Sequence, residues 1–480
     1  MNIVHAASEV FPFVKTGGLA DVVAALAKAL ASYGHNVSVF LPGYRAALEH
    51  HAASGAEKVL SIQVDMGGEF HRGHVIRLAA ARGPTVYFIC RDEYFDRRHP
   101  YGTAEGDYED NAERFIFFSR AVVESMRMLK LSADVVHCHD WQTGLLPLFL
   151  RSEERKHRVT LAIRTVFTIH NIVFQGIFPM SAFGLTGLPA DLLGIDGLEY
   201  YGQISMMKGG ILFSDRLTTV SPSYAREILE PERGAGLDGV LATRIDDLSG
   251  LLNGIDQDIW DPKTDTALPA QFSAADLSGK ATCRAQLLAE FGLEPTKTAP
   301  VYGIVSRLTE QKGVQLLIKC AGFFARHDAR LAIVGVGEAR FHDALNSLSR
   351  ELKGKLSFVG AVDELKVHLL VAGSDFLLMP SIFEPCGLTQ MYAQRYGTIP
   401  LTSAVGGLLD TVVDLNRDPA NATGVRFPPT EHGLADALEV SLSLHADAKT
   451  KRAMMLRGMR RDFSWDSAAR AYEKLYQDVV

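Results

Sequence analysis

Short apolar runs rich in Val and Ile alternate along this chain with longer segments in which apolar residues recur every three or four positions. In the first half the runs cover residues 37–41, 86–90, 135–139, 164–170 and 216–220. In the second half they cover residues 300–306, 330–335, 356–359, 376–379 and 399–402. Near-continuous apolar runs predict parallel strands covered by helices on both faces. The pattern therefore predicts an α/β protein.

The alternation is interrupted between about residues 250 and 299 by Asn-Gly-Ile-Asp at 253–256 and by a polar, proline-containing stretch. A chain of 480 residues is too long for one hydrophobic core. We therefore predict two Rossmann-like domains, at 1–250 and 251–458, facing a central cleft, because doubly wound sheets bind ligands at the carboxyl ends of their strands. Apolar positions at helical spacing predict a docked C-terminal helix within 459–480.

Composition narrows the range of partners. The formal net charge is −7, which argues against nucleic acid or an anionic membrane as the main partner. The five cysteines are scattered without a Cys-x-x-Cys pair, as is typical of a reducing cytosol. No apolar stretch reaches membrane-spanning length, and the first residues lack a basic leader, so we expect a cytoplasmic protein without a membrane partner.

A glycine turn, Lys15-Thr16-Gly17-Gly18, lies between the first apolar segment and a helical pattern. Glycines allow backbone N–H groups to approach a ligand closely, and a helix N-terminus attracts anions. Lys15 adds a cation, so the turn predicts a site for a phosphorylated ligand. The alternative is an ordinary turn between a strand and a helix.

Two loops of the second half follow predicted strands. Arg307 and Lys312 could clamp a diphosphate, although a solvated surface loop is the alternative. In the loop 383–390, Pro385 and Gly387 favour an irregular turn whose N–H groups at 387–389 would face an anion. Glu384 could accept hydrogen bonds from sugar hydroxyls or simply cap a helix. Cys386 has no base beside it and is interpreted as a packing or contact residue.

Four further motifs lie at the ends of predicted strands. His137 and His139 share one strand face, but no acidic or thiolate partner stands at ligand spacing, so we predict no metal site. Asp140 and His170, each at a strand's carboxyl end, are interpreted as sugar-facing groups. The Gly-Val-Gly-Glu segment at 335–338 lacks the third glycine of a dinucleotide motif. The paired glycines within 402–408 favour a structural role.

Seven motifs together closely resemble the bacterial glycogen synthases and plant starch synthases that use ADP-glucose. They are Lys-Thr-Gly-Gly at 15–18, His-Asp-Trp at 139–141, Ile-His-Asn at 169–171, Asn-Gly-Ile-Asp at 253–256, the Ser-Arg-Leu to Gln-Lys-Gly loop at 306–313, Glu-Pro-Cys-Gly-Leu-Thr-Gln at 384–390 and Phe-Ser-Trp-Asp at 463–466. The resemblance implies a GT-B glycosyltransferase that needs no metal or cofactor. It also implies a C-terminal helix that crosses back onto the N-terminal domain.

The resemblance further implies transfer of glucose, with retention, from ADP-glucose to the non-reducing 4-hydroxyl of glycogen or another α-1,4-glucan. The implied catalytic residues are Arg307, Lys312, Glu384, His170 and Asp140. The implied donor-binding residues are Lys15, Gly18, Asp21, Asn253, Cys386, Gly387, Leu388 and Thr389, of which Asp21 is a weaker candidate. Tyr101 is a weaker candidate for the sugar site. Tyr392 stands where wider relatives carry a second Glu, so we expect front-face substitution rather than a covalent double displacement. A pyridoxal-dependent phosphorylase and a non-catalytic carbohydrate-binding protein are the alternatives.

Overall fold

The computed structural model describes residues 1–51, 55–80, 83–103, 105–157 and 162–480. The chain forms two compact units. The N-terminal unit comprises Met1–Val220, Ala225–Leu251 and Trp465–Val480, and the C-terminal unit comprises Ser221–Tyr224 and Leu252–Ser464. No helix among the described residues is long and apolar enough to cross a membrane.

The N-terminal unit is built on a nine-stranded sheet. The strands of this unit are β1 (Asn2–Ala6), β2 (Asn36–Pro42), β3 (Glu57–Met66), β4 (Glu69–Leu78), β5 (Thr85–Cys90), β6 (Gly102–Thr103), β7 (Gly106–Asp107), β8 (Val135–His139), β9 (Arg164–Ile169), β10 (Ile177–Pro179), β11 (Glu199–Tyr200), β12 (Gln203–Ser205), β13 (Arg216–Thr219) and β14 (Leu248–Gly250). The order in the large sheet is β14-β13-β9-β8-β1-β2-β5-β4-β3. All pairs from β14 to β5 are parallel, whereas β4 pairs antiparallel with both β5 and β3.

Strand β1 has β2 on one side and β8 on the other, so the strand order reverses at β1. Ligand sites of doubly wound sheets lie at this kind of reversal, beyond the carboxyl ends of the strands. The helices of this part of the chain are α1 (Gly18–Ser32), α2 (Arg45–His51), α3 (Asp92–Phe95), α4 (Asn111–Met128), α5 (Leu146–His157), α6 (Phe183–Thr186), α7 (Met206–Phe213), α8 (Pro222–Glu227) and α9 (Asp238–Ala242). Helix α1 buries the apolar stripe that the sequence predicts, including Leu19, Val22 and Leu26.

The C-terminal unit has a six-stranded, entirely parallel sheet in the order β17-β16-β15-β18-β19-β20. Its strands are β15 (Val301–Val305), β16 (Arg330–Val334), β17 (Leu356–Val359), β18 (Phe376–Met379), β19 (Ile399–Ser403) and β20 (Val425–Phe427). Its helices are α10 (Ser278–Glu290), α11 (Val314–Cys320), α12 (Gly322–Arg326), α13 (Ala339–Glu351), α14 (Glu364–Gly373), α15 (Thr389–Arg395), α16 (Gly406–Thr411), α17 (Glu431–Ala446) and α18 (Ala448–Met459). The strand order reverses between β15 and β18.

Two hydrophobic clusters cover the two faces of this sheet. Alternate strand residues enter different clusters: Phe376 and Leu378 belong to one, and Leu377 and Met379 belong to the other. This burial of both faces explains why the strands have almost no polar positions.

The chain ends in helix α19 (Trp465–Val479), which packs against α1 within the N-terminal unit. Tyr33 donates a hydrogen bond of 2.7 Å to Oδ1 of Asp466, and His35 bonds Glu473 at 2.7 Å. The hydroxyl of Tyr476 reaches the sheet and lies 2.7 Å from Nδ1 of His137. The predicted apolar positions of this helix account for its buried face, which includes Ala469, Tyr472 and Tyr476.

The α/β class with parallel sheets is confirmed, and all ten predicted runs form strands. The antiparallel hairpin of β3 and β4 at the sheet edge was not predicted from the sequence. In the second half of β3, exposed and buried residues alternate, so no continuous apolar run marks it.

Candidate active site

The glycine turn lies beyond the carboxyl end of β1 and leads into α1 at Gly18. A buried carboxylate, Glu9, holds this turn: its Oε2 accepts the backbone N–H groups of Thr16 at 2.5 Å and Gly17 at 3.2 Å. Its Oε1 also accepts the hydroxyl of Thr16 at 2.6 Å. Sequence reasoning missed Glu9, although a carboxylate between a strand end and a glycine turn is a signal for such a brace.

The turn leaves backbone donors open at the start of α1. Within the described residues, the N–H groups of Gly18 and Leu19 have no acceptor. A Cβ placed on Gly17 would meet nothing within 4 Å, so the space beside the turn is free. Unpaired N–H groups at the start of a long helix favour an anion. The turn can therefore take a phosphate group at Gly18 even though Glu9 already occupies its first two donors.

Lys15 and Asp21, two of the predicted donor-binding residues, form an ion pair of 2.9 Å across the helix start. The lysine side chain is exposed and the aspartate partly so. Exposed ion pairs contribute little free energy, so the ammonium can exchange this partner for a ligand phosphate at small cost.

Tyr101 reaches the same carboxylate from the segment that precedes α4. Its hydroxyl donates to Oε1 of Glu9 at 2.7 Å and lies 2.7 Å from Oγ of Ser8. Burial, together with the charge of Glu9, raises the pKa of Tyr101 well above its ordinary value, so the phenol stays protonated. Tyr101 therefore braces the glycine turn through Glu9.

Asp140 follows β8 with a backbone of φ 57° and ψ −178°, a region that essentially only glycine adopts without strain. Its Oδ1 accepts the N–H of His170 at 2.7 Å and that of Asn171 at 3.4 Å, so it connects the ends of β8 and β9. Burial raises the pKa of Asp140 to about 7, although these hydrogen bonds oppose the shift. Strained backbone and a raised carboxyl pKa together are typical of functional sites.

Four histidines lie together under these strand ends. Nδ1 of His139 is 3.0 Å from Nε2 of His170, and Nε2 of His139 is 3.1 Å from Nδ1 of His5. His137 instead bonds Oγ1 of Thr168 at 2.6 Å and the hydroxyl of Tyr476. Burial lowers the pKa of all four imidazoles, to about 3 for His5 and His170, so the cluster is neutral. Sequence reasoning did not connect His5 with this group.

The same cluster meets the spacing of a metal site. Ligand nitrogens of His5, His137 and His139 all lie within 4.8 Å of one another. Most of their ring nitrogens already form hydrogen bonds with neighbouring imidazoles or hydroxyls, and a metal ion would have to displace those bonds. The absence of a metal requirement therefore stays a prediction.

In the C-terminal unit the loops after β15 and β18 dock onto each other. Gly313 has φ 68°, and a Cβ there would lie 1.8 Å from the carbonyl oxygen of Pro380. The N–H of Ile382 donates to the carbonyl of Gln311 at 2.8 Å. Only glycine permits this approach, which places Lys312 beside the loop that carries Glu384.

Lys312 and Glu384, both predicted site residues, form an ion pair of 2.6 Å. Glu384 is only 5% exposed, and its Oε2 also accepts the hydroxyl of Ser381 at 2.9 Å. Arg307 lies exposed, with a 3.4 Å contact to Oε1 of Gln311 as its hydrogen bond within the described residues. The buried, paired carboxylate of Glu384 and the solvent-exposed guanidinium of Arg307 can together bind a polar, anionic ligand.

The turn 386–389 presents further donors. Gly387 has φ 72°, and the side-chain amide of Gln390 donates to the carbonyls of Cys386 and Gly387 at 3.0 and 2.9 Å. The backbone N–H groups of Gly387, Leu388 and Thr389 have no acceptor in the part of the chain that the structure describes. Burial raises the pKa of Cys386 to about 12, so it is no thiolate nucleophile.

Asn253 lies against this turn, and its backbone hydrogen-bonds Cys386. The side chain is buried, and its Oδ1 has no hydrogen-bond partner among the described residues. Such an atom calls for an explanation, and a ligand donor supplies one. Gly407 has a structural role, because a Cβ there would lie 2.4 Å from the carbonyl oxygen of Cys386.

The glycine segment 335–338 packs against the basic loop. A Cβ on Gly335 would lie 2.2 Å from the carbonyl oxygen of Ser306, and one on Gly337 would lie 2.3 Å from that of Leu308. Both glycines therefore serve close packing between neighbouring loops, as expected for a segment that lacks the dinucleotide motif.

Comparisons with known proteins agree with these motifs. The family model described as starch synthase catalytic domain matches residues 2–243, and that of glycosyl transferases group 1 matches 289–455. A glycogen synthase of Opitutus terrae is 53% identical, with 100% of each chain covered. Glycogen synthase 2 of Geobacter sulfurreducens is 44% identical over 99% of this chain and 98% of that protein.

Solved structures give the same relationship. The catalytic domain of starch synthase IV from Arabidopsis thaliana, bound to ADP and acarbose, matches with a TM-score of 0.90 and 33% identity, covering 100% of this chain and 99% of that one. Sucrose-phosphate synthase from Thermosynechococcus elongatus matches with a TM-score of 0.63 and 18% identity, covering 99% of this chain and 98% of that one, and so shares the GT-B fold. The chain therefore belongs to the glycosyltransferase family of glycogen and starch synthases.

Proposed function

We propose that this protein transfers glucose from ADP-glucose to the non-reducing 4-hydroxyl of an α-1,4-glucan, with retention, in the cytoplasm. The reaction elongates glycogen and releases ADP. The observation that carries the proposal is the Lys312–Glu384 pair of 2.6 Å, set beside three open N–H groups at 387–389. A lysine, a buried carboxylate and free backbone donors suit a glucosyl group attached to a diphosphate.

In this proposal the cationic groups bind the phosphates of the donor, and the carboxylates and other polar groups bind its sugar. Arg307 and Lys312 contact the diphosphate, and Lys15 with the N–H of Gly18 adds further phosphate contacts. Glu384, with the backbone of 386–389, holds the glucosyl group and the distal phosphate. Asp140, His170 and the unpartnered Oδ1 of Asn253 accept or donate hydrogen bonds at the sugar. Asp21 and Tyr101 act through Lys15 and Glu9.

The bond from the anomeric carbon to the diphosphate oxygen breaks while the acceptor oxygen forms its bond on the same face of the sugar. The departing diphosphate takes the acceptor's proton. Arg307 and Lys312 stabilise the charge that grows on the phosphate, which is commonly the largest catalytic contribution. Tyr392 stands where wider relatives carry a second Glu, which removes one candidate carboxylate for a covalent double displacement and favours front-face substitution. The reaction needs neither a metal nor a cofactor.

The test is ADP release from ADP-glucose in the presence of glycogen, compared with UDP release from UDP-glucose. Glucan elongation with ADP-glucose at a higher kcat/KM supports the proposal. Preference for UDP-glucose would overturn the donor assignment, and no nucleotide release from either donor would overturn the activity. A third arm with glucose 1-phosphate and orthophosphate release tests the phosphorylase alternative, which also requires an absorbing pyridoxal group. A trapped covalent glucosyl-enzyme would contradict the front-face mechanism.

A further inference from the structure

Three buried imidazoles form a hydrogen-bonded series that ends at the proposed sugar site. His5 Nδ1 is 3.1 Å from His139 Nε2, and His139 Nδ1 is 3.0 Å from His170 Nε2. The series begins at His5 Nε2, a fully buried atom with no hydrogen-bond partner among the described residues. It ends at His170 Nδ1, which forms no hydrogen bond within the described part of the chain and is not among its fully buried unpaired atoms.

Each neutral imidazole carries one N–H and one lone pair, so the series has two possible proton arrangements. In the first, every proton lies on Nε2, and His5 buries an N–H without an acceptor. In the second, every proton lies on Nδ1, and His5 buries only a lone pair. Buried N–H groups without an acceptor are rarer in proteins than acceptors that lack a donor. The second arrangement is therefore favoured.

We propose that His5 and His139 are positioning residues that hold the proton of His170 on Nδ1, so that this atom donates a hydrogen bond to the glucosyl group. The inference rests on the proposed function for the identity of the ligand. It also assigns a limit to His170: with Nδ1 protonated and Nε2 occupied by His139, the ring has no lone pair left to act as a general base. The acceptor's proton then goes to the diphosphate, as in the mechanism above.

The proton arrangement can be observed without turnover. In 15N-histidine-labelled protein, a ring nitrogen bearing a proton and one bearing a lone pair resonate far apart, and His170→Asn identifies the His170 signals. We expect a protonated Nδ1 and an unprotonated Nε2 for His170. A lone pair on Nδ1 overturns the proposal. If the wild-type protein showed no transferase activity, the proposed function would be overturned, but the measured proton position of His170 would still stand.

Two variants of His139 whose new side chains are isosteric with each other test whether the proton position of His170 affects donor use. In His139→Asn the side-chain amide can still donate to His170 Nε2, whereas the carboxylate of His139→Asp can only accept and moves the proton of His170 to Nε2. We expect kcat/KM for the donor sugar to be about tenfold lower in His139→Asp than in His139→Asn at pH 8, the equivalent of one hydrogen bond. The difference should shrink toward pH 6, because the new carboxylate favours an imidazolium with both nitrogens protonated.

The groups that face position 139 are the imidazoles of His5, His137 and His170, and the carboxylate of Asp140 binds the backbone of His170. His137→Asn is the matched control, because His137 is buried in the same cluster but hydrogen-bonds Thr168 and Tyr476 instead. A merely structural role predicts similar pH profiles for all three variants, and that result would overturn the proposal. If His139→Asp does not fold, the wild-type measurement alone decides.

Discussion

The hydroxyl of Tyr101 donates a 2.7 Å hydrogen bond to Oε1 of Glu9, the carboxylate whose other oxygen holds the N–H groups of Thr16 and Gly17. The phenol and the glycine turn are far apart in sequence, and the side chain of Glu9 links them. Through these hydrogen bonds Glu9 holds the conformation of the glycine turn.

Glu9→Gln should lower kcat/KM for the nucleotide sugar about tenfold or more, because an amide cannot accept from all the donors that surround this carboxylate. Steady-state kinetics at varied donor concentration measure the loss. Tyr101→Phe is the control, since it removes one of these hydrogen bonds and leaves the charge. An equal loss in both variants would contradict the central role of Glu9.

Arg307→Ala and Lys312→Ala should each lower kcat on the order of a hundredfold, as removal of one preorganised charge-stabilising group typically does. Arg340→Ala serves as the matched control, because Arg340 is an exposed arginine at the start of α13 whose partners are Glu310 and Glu338. A higher donor KM with unchanged kcat would show that the two cations contribute only binding.

Asp140→Asn should change the pH dependence of stability. The folded-state pKa of about 7 lies above the ordinary 3.8, so the ionised carboxylate destabilises the fold, and stability falls as the pH rises from about 4 to 7. The amide keeps the acceptor for His170 and removes the charge. We expect a higher Tm than wild type at pH 8, corresponding to a gain in the free energy of unfolding of a few kcal/mol at most. At pH 4 the two proteins should differ little.

Activity of Asp140→Asn should fall at the same time, on the order of a hundredfold in kcat. Thermal unfolding followed by circular dichroism at pH 4 and pH 8 measures the change in stability. Glucan elongation measures the change in activity. The exposed Asp478→Asn is the control. If Asp140→Asn were less stable than wild type at pH 8, burial of the ionised Asp140 carboxylate could not be destabilising.

Asp375→Asn should destabilise the C-terminal unit in the opposite pH range. Burial alone would raise the pKa of Asp375, but Lys451, Arg284 and His445 outweigh it and lower the pKa to about 2. The stabilisation is complete above the ordinary 3.8 and is lost as the pH falls from about 4 to 2.

Removal of one partner from a buried ion cluster costs about 3–5 kcal/mol, so the Tm of Asp375→Asn should fall clearly at pH 7 and approach that of wild type near pH 2. Calorimetric scans across pH measure it. Glu439→Gln, at an exposed pair with His327, should leave the Tm unchanged. A pH-independent loss would point to lost packing rather than charge.

Much of the site was predictable because its residues follow strands. A strand buried on both faces, such as β15 or β18, needs a continuous apolar run, and the polar residues that come directly after it must lie at the sheet edge. That rule predicts Arg307, Lys312 and Glu384 at one edge of the sheet, and the ion pair of Lys312 with Glu384 agrees with it.

Glu9 and His5 were not predictable in this way. Each sits in or beside an apolar segment, and its role depends on a partner more than ninety residues away, Tyr101 or His139. Likewise the motif at 311–313 indicates a basic loop but does not show that Gly313 lies against Pro380.

The amino-acid sequence by itself determined the parallel sheets, the helices between them and the positions at which polar residues leave the strands, because hydrophobic periodicity is a local property. The tertiary structure decided which of those polar residues hydrogen-bond each other. It also decided which of them bury a charge and which bury an atom without a hydrogen-bond partner. These properties depend on close approach between distant segments, and burial then makes each pairing energetically important, as the neutral imidazoles of His5 and His139 beneath His170 illustrate.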